Sequence, residues 1–425
     1  MIKKSSTILL PFLLSLTAGA ATIIAGGTAN DTEGRIIKLS DGRLMAAIAR
    51  NPYGSWNATD VYVSFSSDGG ASWSIPAMAI GGAADQATIA ALELPDDTIR
   101  LWFASNATGY YRIQTAWSLD GLNWTAQGEV SLGWGSSVNC YDPTVIFEPD
   151  SSLTMIYRGG SGTAGGAYVS YRPKGGDWDT LRRPVNYRAY RPRIMKHPDG
   201  TYLAAFQRQS GGSSTQIDIF IRRSTDLTNW TDSVRLTTNQ NSHDARCLYV
   251  PDSGYVVYYA KYQAAPYDAY NLCRRRSADG VSWQPEQQLT FNGTMHHNTQ
   301  PCPLLFEGRL GLAWAYANDY DNDNDVLFDS SPLTGIASEP SVPTSRKGHL
   351  RLYPNPCPRG TAAVLDCAPG MAEVRLYDAG GRFLRMLKLE IGCPALMPTT
   401  GLSPGVYFVS VGFDRRMTTR LTVLP

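Results

Sequence analysis

Glu33-Gly34-Arg35-Ile36-Ile37-Lys38-Leu39-Ser40-Asp41 is the stretch whose reading decides the fold: a polar head, an apolar middle and a turn closed by an acid, followed by a second apolar run from Leu44 to Ala49. The design returns at Thr88 to Asp96, Asp142 to Asp150, Arg191 to Asp199, Asp244 to Asp252 and Thr299 to Glu307, and the turn acids are 55, 54, 49, 53 and 55 residues apart. A near-constant period of this length marks an array of similar units. A second signature lies downstream of four hairpins: Ser66-Ser67-Asp68-Gly69-Gly70-Ala71-Ser72-Trp73, Ser118 to Trp124, Ser224 to Trp230 and Ser277 to Trp283, the last three one residue shorter between Asp and Trp. Here the Asp carboxylate accepts turn N–H groups, Gly supplies positive φ and Trp packs back between strands, so the motif is a structural clip with no catalytic role.

A fourth strand follows each clip, as in Ile75 to Ile80 or Val234 to Thr237. Each repeat is therefore a four-stranded antiparallel sheet, and six sheets set radially leave only short, protected edges: an all-β fold, a six-bladed β-propeller. Helical periodicity is absent. The sixth repeat stops after Val326-Leu327-Phe328, and Thr22-Ile23-Ile24-Ala25 is expected to supply its missing strand.

Residues 1–20 carry Lys3-Lys4, the apolar run Ile8 to Leu16 and Ala18-Gly19-Ala20, the layout of a cleaved secretory signal. No later run reaches the ~18 apolar residues of a membrane span. Without the leader, 36 Lys+Arg face 37 Asp+Glu, a balance that excludes the counterion release behind nucleic-acid binding. Seven cysteines, an odd number, include Cys140, Cys247, Cys273 and Cys302, which lack zinc-site spacing and read as small buried residues.

The propeller is expected over 21–335, a Pro- and Ser-containing linker over 336–348 and a second unit over 349–425. Residues 21–335 hold 25 Lys+Arg against 31 Asp+Glu, whereas 336–425 hold 11 against 6. Runs such as Val374-Arg375-Leu376-Tyr377 and Val406 to Val411, punctuated by Gly380-Gly381 and Pro404-Gly405, predict a small immunoglobulin-like β-sandwich.

In a propeller the innermost strand heads converge on the central channel, so one end of the ring forms a concave site. Eight residues before each turn acid stand Glu33, Thr88, Asp142, Arg191, Asp244 and Thr299; two further on stand Arg35, Ala90, Thr144, Arg193, Arg246 and Pro301. Tyr141, Tyr190, His243, His296 and His297 flank these heads. Glycoside hydrolysis needs two carboxyl groups across the scissile bond, which makes Asp142, Asp244 and Glu33 the candidate acid, base or nucleophile. Arg35, Arg191, Arg193 and Arg246, with His243, His297, Tyr141 and Tyr190, are candidates for binding the substrate, the guanidinium groups suiting an acidic sugar. The alternative is that these acids and arginines pair with one another to support the channel. In Asp319-Tyr320-Asp321-Asn322-Asp323-Asn324-Asp325, Asp321, Asp323 and Asp325 could offer oxygens to Ca²⁺, though without the glycine and distal glutamate of an EF-hand; a solvated loop is favoured. No cofactor is required.

The first clip matches the complete Asp-box (BNR) pattern S-x-D-x-G-x-x-W and the other three resemble it, and the repeat resembles the secreted, sialidase-like family of six-bladed carbohydrate-active proteins. That family uses a tyrosine nucleophile polarised by a glutamate, three arginines on the sialic carboxylate and a catalytic aspartate. This chain departs from it: Arg35-Ile36 lacks the usual following proline, Arg191-Pro192 stands where Glu-Pro is expected, and the last repeat offers His297 and Thr299 in place of tyrosine. Asp60 corresponds to the acid–base aspartate only loosely. The tail resembles the C-terminal sorting domain of the type IX secretion system through Tyr353-Pro354-Asn355-Pro356, Leu376-Tyr377-Asp378-Ala379-Gly380-Gly381-Arg382 and Leu402-Ser403-Pro404-Gly405-Val406-Tyr407-Phe408. The resemblances imply an exported, extracellular or cell-surface exo-sialidase-like glycoside hydrolase that partners the secretion machinery. The competing readings are a non-catalytic glycan-binding or adhesive propeller, and a polysaccharide lyase with His243 or His297 as base.

Overall fold

The computed structural model describes residues 21–27, 29–51, 59–211, 216–238, 241–251, 253–264, 268–290, 297–317 and 324–332, then 350–353, 357–358, 362–367, 370–379, 382–391, 395–399, 402–411 and 417–424. The signal and linker segments, His296, Asp252, Asp321, Asp323, Pro354-Asn355-Pro356 and Gly380-Gly381 lie outside them. The chain divides into two compact units, Met1–Ile336 and Ala337–Pro425. Apart from one 3₁₀ turn, Gly162–Ala164, all regular structure among the described residues is β, and no helix is long and apolar enough to cross a membrane.

Among the described residues the first unit holds six four-stranded antiparallel sheets; five are meanders of consecutive strands whose first strand is innermost, and the sixth takes its outermost strand from the start of the unit. The innermost strands are Asn30–Lys38, Gln86–Glu93, Cys140–Phe147, Tyr190–Lys196, Ser242–Val250 and His297–Phe306. Each touches the next, and the sixth touches the first, so the array is a propeller-like ring. Its closure is the one expected: Thr22–Ala25 pairs antiparallel with Asn324–Pro332 and completes the sixth sheet. Chain entry and exit thus share one sheet.

Packing follows this geometry. Every wedge between neighbouring sheets holds its own apolar cluster, including the closing wedge, where Ile36, Leu44 and Ile48 of the first sheet meet Phe306, Val326 and Phe328 of the sixth. Second strands such as Leu44–Asn51 and Tyr202–Gln209 are buried on both faces and rich in alanine, which lets sheets approach near the axis. At the periphery Thr125–Glu129 is exposed throughout.

The four Ser-x-Asp turns act as clips. Asp68 Oδ1 accepts the Ser72 N–H at 2.9 Å, and Asp120, Asp226 and Asp279 each accept two turn N–H groups at 2.7–2.9 Å. Each serine hydroxyl accepts a further one, from Gly70, Gly121, Leu227 or Gly280. The third sheet lacks the motif; its Trp178 packs edge-on against Trp102 of the second. Cys140, Cys247, Cys273 and Cys302 are free thiols.

The second unit contains a three-stranded sheet (Leu350–Tyr353, Ala362–Cys367, Ala395–Pro398) and a five-stranded one (Cys357–Pro358, Met417–Leu424, Gly405–Val411, Gly370–Asp378, Phe383–Ile391). Arg382 bonds Asp378 from both its backbone N–H, at 2.9 Å, and its side chain, at 3.0 Å, fixing the turn after Gly370–Asp378.

Candidate functional site

Each innermost strand breaks register with its neighbour near the head, between Thr32/Arg35, Ala87/Ala90, Tyr141/Thr144, Tyr190/Arg193, His243/Arg246 and Thr299/Cys302. Each bulge holds one non-glycine residue at positive φ: Glu33 (57°), Thr88 (51°), Asp142 (59°), Arg191 (46°), Asp244 (59°) and Gln300 (53°). Left-handed backbone at such residues costs on the order of 1–3 kcal/mol each and concentrates at functional sites. A bulge also turns a side chain out of the pleat. Pro143, Pro192 and Pro301 follow three of these residues, where a missing N–H leaves no donor stranded by the broken ladder.

The strained residues are the predicted ones in five sheets, with a correction in the sixth. The hairpin after His297–Phe306 has two residues, Glu307-Gly308, where the one after Asn30–Lys38 has five. Counting back from Glu307 therefore slips by one: Gln300 replaces Thr299, and Cys302 replaces Pro301 in the second series.

Side chains of the preceding sheet satisfy four of these bulges. Gln300 Oε1 accepts the Glu33 N–H at 2.6 Å, Thr88 Oγ1 that of Asp142 at 3.1 Å, Asp142 Oδ2 that of Arg191 at 3.3 Å, and Gln207 Oε1 that of Asp244 at 2.9 Å. Three of these bonds run directly from head to head, between Gln300 and Glu33, Thr88 and Asp142, and Asp142 and Arg191.

Charge converges at the same place. Arg191 is ion-paired with Asp244 and lies in the field of Glu33 and Asp142, and together these anions hold its proton more tightly than usual, Asp244 contributing most. Asp142 is buried; loss of solvation pushes its carboxyl up to about 6, with Glu33 adding to the rise and Arg191 and Arg158 opposing it. Glu33 pairs with Arg35 at 3.2 Å, and Arg35 Nε also donates to the Ile89 carbonyl at 2.5 Å. Arg193 donates to the carbonyls of Asp142 (3.3 Å) and Pro192 (2.7 Å). Arg246 is buried, and its Nε and Nη1 have no hydrogen-bond partner.

The flanking rings take defined positions. Tyr141 packs edge-on to Tyr111, and burial raises its phenol. Arg158 lies over Tyr141 and Tyr190, 4.7 and 4.2 Å from the ring centroids. Burial lowers the His243 imidazole; its Nδ1 faces the Gln207 amide at 3.3 Å and its Nε2 bonds Asn241 Oδ1 at 2.7 Å, so both nitrogens are engaged. His297 Nδ1 accepts the Tyr270 N–H at 3.3 Å.

Asp60 begins the strand Asp60–Ser66, its carboxyl raised by burial and, more weakly, by nearby Asp85. Asp85 is a buried acid that the sequence reading did not single out. It accepts the Thr59 N–H at 3.0 Å and a short hydrogen bond from Tyr111, a role no repeat position announced. Asp325 accepts the Gly27 N–H at 3.2 Å, and no cluster of three metal-ligating side chains occurs among the described residues.

No protein-family model and no curated protein sequence matches the chain. Solved structures do. A protein of unknown function from Dyadobacter fermentans is 13% identical with a TM-score of 0.59, covering 73% of this chain and 98% of its own. The Penicillium chrysogenum α-L-arabinanase bound to arabinobiose is 15% identical (TM-score 0.55; 73% and 97% covered), and the NanB sialidase of Streptococcus pneumoniae 12% identical (TM-score 0.57; 73% and 70%). At such identities the likeness is one of fold: the first unit shares the propeller-like β architecture of these glycoside hydrolases.

Proposed function

We propose that the chain is a secreted glycoside hydrolase built on a six-bladed propeller, acting on an extracellular glycan at the channel mouth where Glu33, Asp142 and Asp244 meet. One observation carries this reading: the buried Asp142 carboxyl, pushed up to about 6, holds its proton well above the ordinary carboxylate range, beside a second carboxylate, Glu33, whose charge adds to the rise. A general acid works best with a pKa near the operating pH. Asp142 would protonate the leaving glycosidic oxygen while Glu33, positioned by Arg35, attacks the sugar or activates water. Arg191 would stabilise the anion that Asp142 becomes once its proton is transferred.

The neighbours' substrates motivate the test panel. The full chain is incubated with sialylated, arabinan-type, uronate-containing and neutral glycans, and reducing ends and ultraviolet absorbance are read. Release by the parent, lost in Asp142→Asn with binding retained, supports the hydrolase. Folded parent that releases nothing sinks it. A non-catalytic glycan-binding propeller is the second reading, favoured by the ion pairs Glu33–Arg35 and Asp244–Arg191. A lyase finds less support, because His243 has both ring nitrogens engaged.

The positively charged tail with its three ordered motifs supports an immunoglobulin-like domain read by type IX secretion machinery and an address outside the cell or on its surface. Deletion of 337–425 is expected to retain the first unit inside the cell envelope. Unchanged export of the truncated chain would remove this proposal.

A further inference from the structure

The head face of the fourth sheet carries a second recess, about 670 Å³, whose lining includes Tyr187, Arg188, Tyr190, Arg208, Phe220 and Arg235. Register places these groups at the same end of the sheet as Arg191: Tyr190 pairs with Gln207, Arg208 with Asp218, and Phe220 with Arg235. The recess neighbours the acid cluster: Tyr190, in its lining, stacks under Arg158, one of the cations that acts on Asp142, and Arg191 follows Tyr190 in the chain.

Its electrostatics are unbalanced. Arg235 is ion-paired with buried Asp218. Arg208 lies with its guanidinium 4.1 Å from the Phe220 centroid, and neither it nor Arg188 has a carboxylate partner among the described residues. Three guanidinium groups therefore meet one carboxylate, a local excess of two positive charges. Burial, with Arg222 and Arg235 nearby, makes Arg208 easier to deprotonate than an ordinary arginine, the signature of an uncompensated cation. Arg188 stands at φ 55° in the two-residue crossover from Arg183–Tyr187 to Tyr190–Lys196, a strained position next to the opening. Planar forked donors beside exposed tyrosines match a sugar ring that carries an oxyanion. Of the inner arginines, Arg35 and Arg191 are ion-paired, Arg193 is bonded to carbonyls and Arg246 is buried, so each is less available than the exposed Arg188.

We propose that this recess is a subsite for a sugar bearing a carboxylate or sulfate, gripped by Arg188 and Arg208, which places an anionic residue of the glycan beside the acid cluster. The inference rests on the glycan reading for its ligand class, but it can be measured without turnover. Full-length parent and Asp142→Asn are titrated calorimetrically with an oligogalacturonate, a heparin-derived sulfated oligosaccharide, a neutral oligosaccharide of equal length and inorganic sulfate. One or both acidic sugars are expected to bind about ten- to a hundred-fold more tightly than the neutral one, the effect of charged hydrogen bonds. The preference should vanish in Arg188→Gln/Arg208→Gln and survive in part in Arg208→Lys, with unchanged melting temperatures showing that the variants fold. The two acidic arms identify the oxyanion, and sulfate alone shows whether the sugar ring contributes. Equal affinity for acidic and neutral sugars, or a double variant that binds like the parent, overturns the proposal. Hydrolysis without acid preference defeats this inference alone; arginine-dependent binding without turnover defeats the hydrolase reading alone.

Discussion

Replacing Asp142 with asparagine removes a buried carboxyl while leaving an oxygen to accept the Arg191 N–H. In the parent, burial holds this group at about 6 against an ordinary 3.8. The gap of ~2 units, at 1.36 kcal/mol each, is ~3 kcal/mol. Between the two values the native chain keeps a proton that the unfolded chain has released, so stability contributed by the neutral form is complete below 3.8 and lost as pH rises through about 6. The amide variant carries no such loss. Parent and variant should therefore melt together near about pH 3.5, and by about pH 7.5 the variant should be more stable by ~3 kcal/mol. For a unit of ~310 residues the unfolding entropy is ~0.65 kcal/mol/K, which converts that gain to ~5 °C. Scanning calorimetry of both proteins across this range reads it directly. A melting-temperature gap of equal size at the two ends, or a variant less stable at neutral pH, would refute the account of Asp142 as a carboxyl raised by burial.

The same group sets a pH profile: if Asp142 is the acid, kcat/KM falls as pH rises through about 6, and an activity that rises across that range assigns the acid elsewhere. Arg191→Ala strips Asp244 of its guanidinium; because the arginine side chain is 35% exposed, screening reduces the usual ~3–5 kcal/mol loss to ~2 kcal/mol in urea unfolding. Adding Asp244→Asn should recover part of it. Gly70 and Gly42 form a matched pair, both at φ +93°, but a Cβ on Gly70 would stand 2.0 Å from Phe328 Cε1, whereas one on Gly42 meets nothing within 4 Å. Gly42→Ala should cost only ~1 kcal/mol of backbone strain and Gly70→Ala ~2–4 kcal/mol, so equal losses would dismiss the clash with Phe328.

The ring was legible because its determinants are local and repeated. A hairpin head, a turn acid and a Ser-x-Asp clip each depend on neighbours in sequence, and six copies let one good example identify a poor one. Even the closure could be read, since three strands in the last repeat and an unassigned Thr22–Ala25 strand leave one arrangement that covers both edges. Thr299 shows where this reasoning ends. It was found by counting from a turn acid, and a two-residue hairpin where others are longer moves the true head to Gln300 without any change in residue type to reveal it. Asp85 was missed for a different reason: it sits just before an innermost strand, and only the fold brings it to Tyr111 and Asp60.

What the site does with its charges was less legible still, because pairing is a property of distance. In sequence Glu33, Arg35, Asp142, Arg191 and Asp244 form a list of acids and bases, any of which could meet a substrate. In the folded chain they compete for one another, and the outcome assigns them unequal parts. Arg191 takes Asp244 as its pair, and Asp142, which accepts the Arg191 N–H, is pushed up to about 6 by burial even with Arg191 and Arg158 opposing the rise. The strained bulge makes that inequality possible, since it takes the head residue out of the strand's pleat while, in four of the six sheets, a side chain of the preceding sheet bonds its N–H. A ring of like bulges carrying five different residue types at six positions therefore separates the two demands on this fold: the backbone keeps its repeat, and the chemistry is written in the one residue per sheet that the repeat does not constrain.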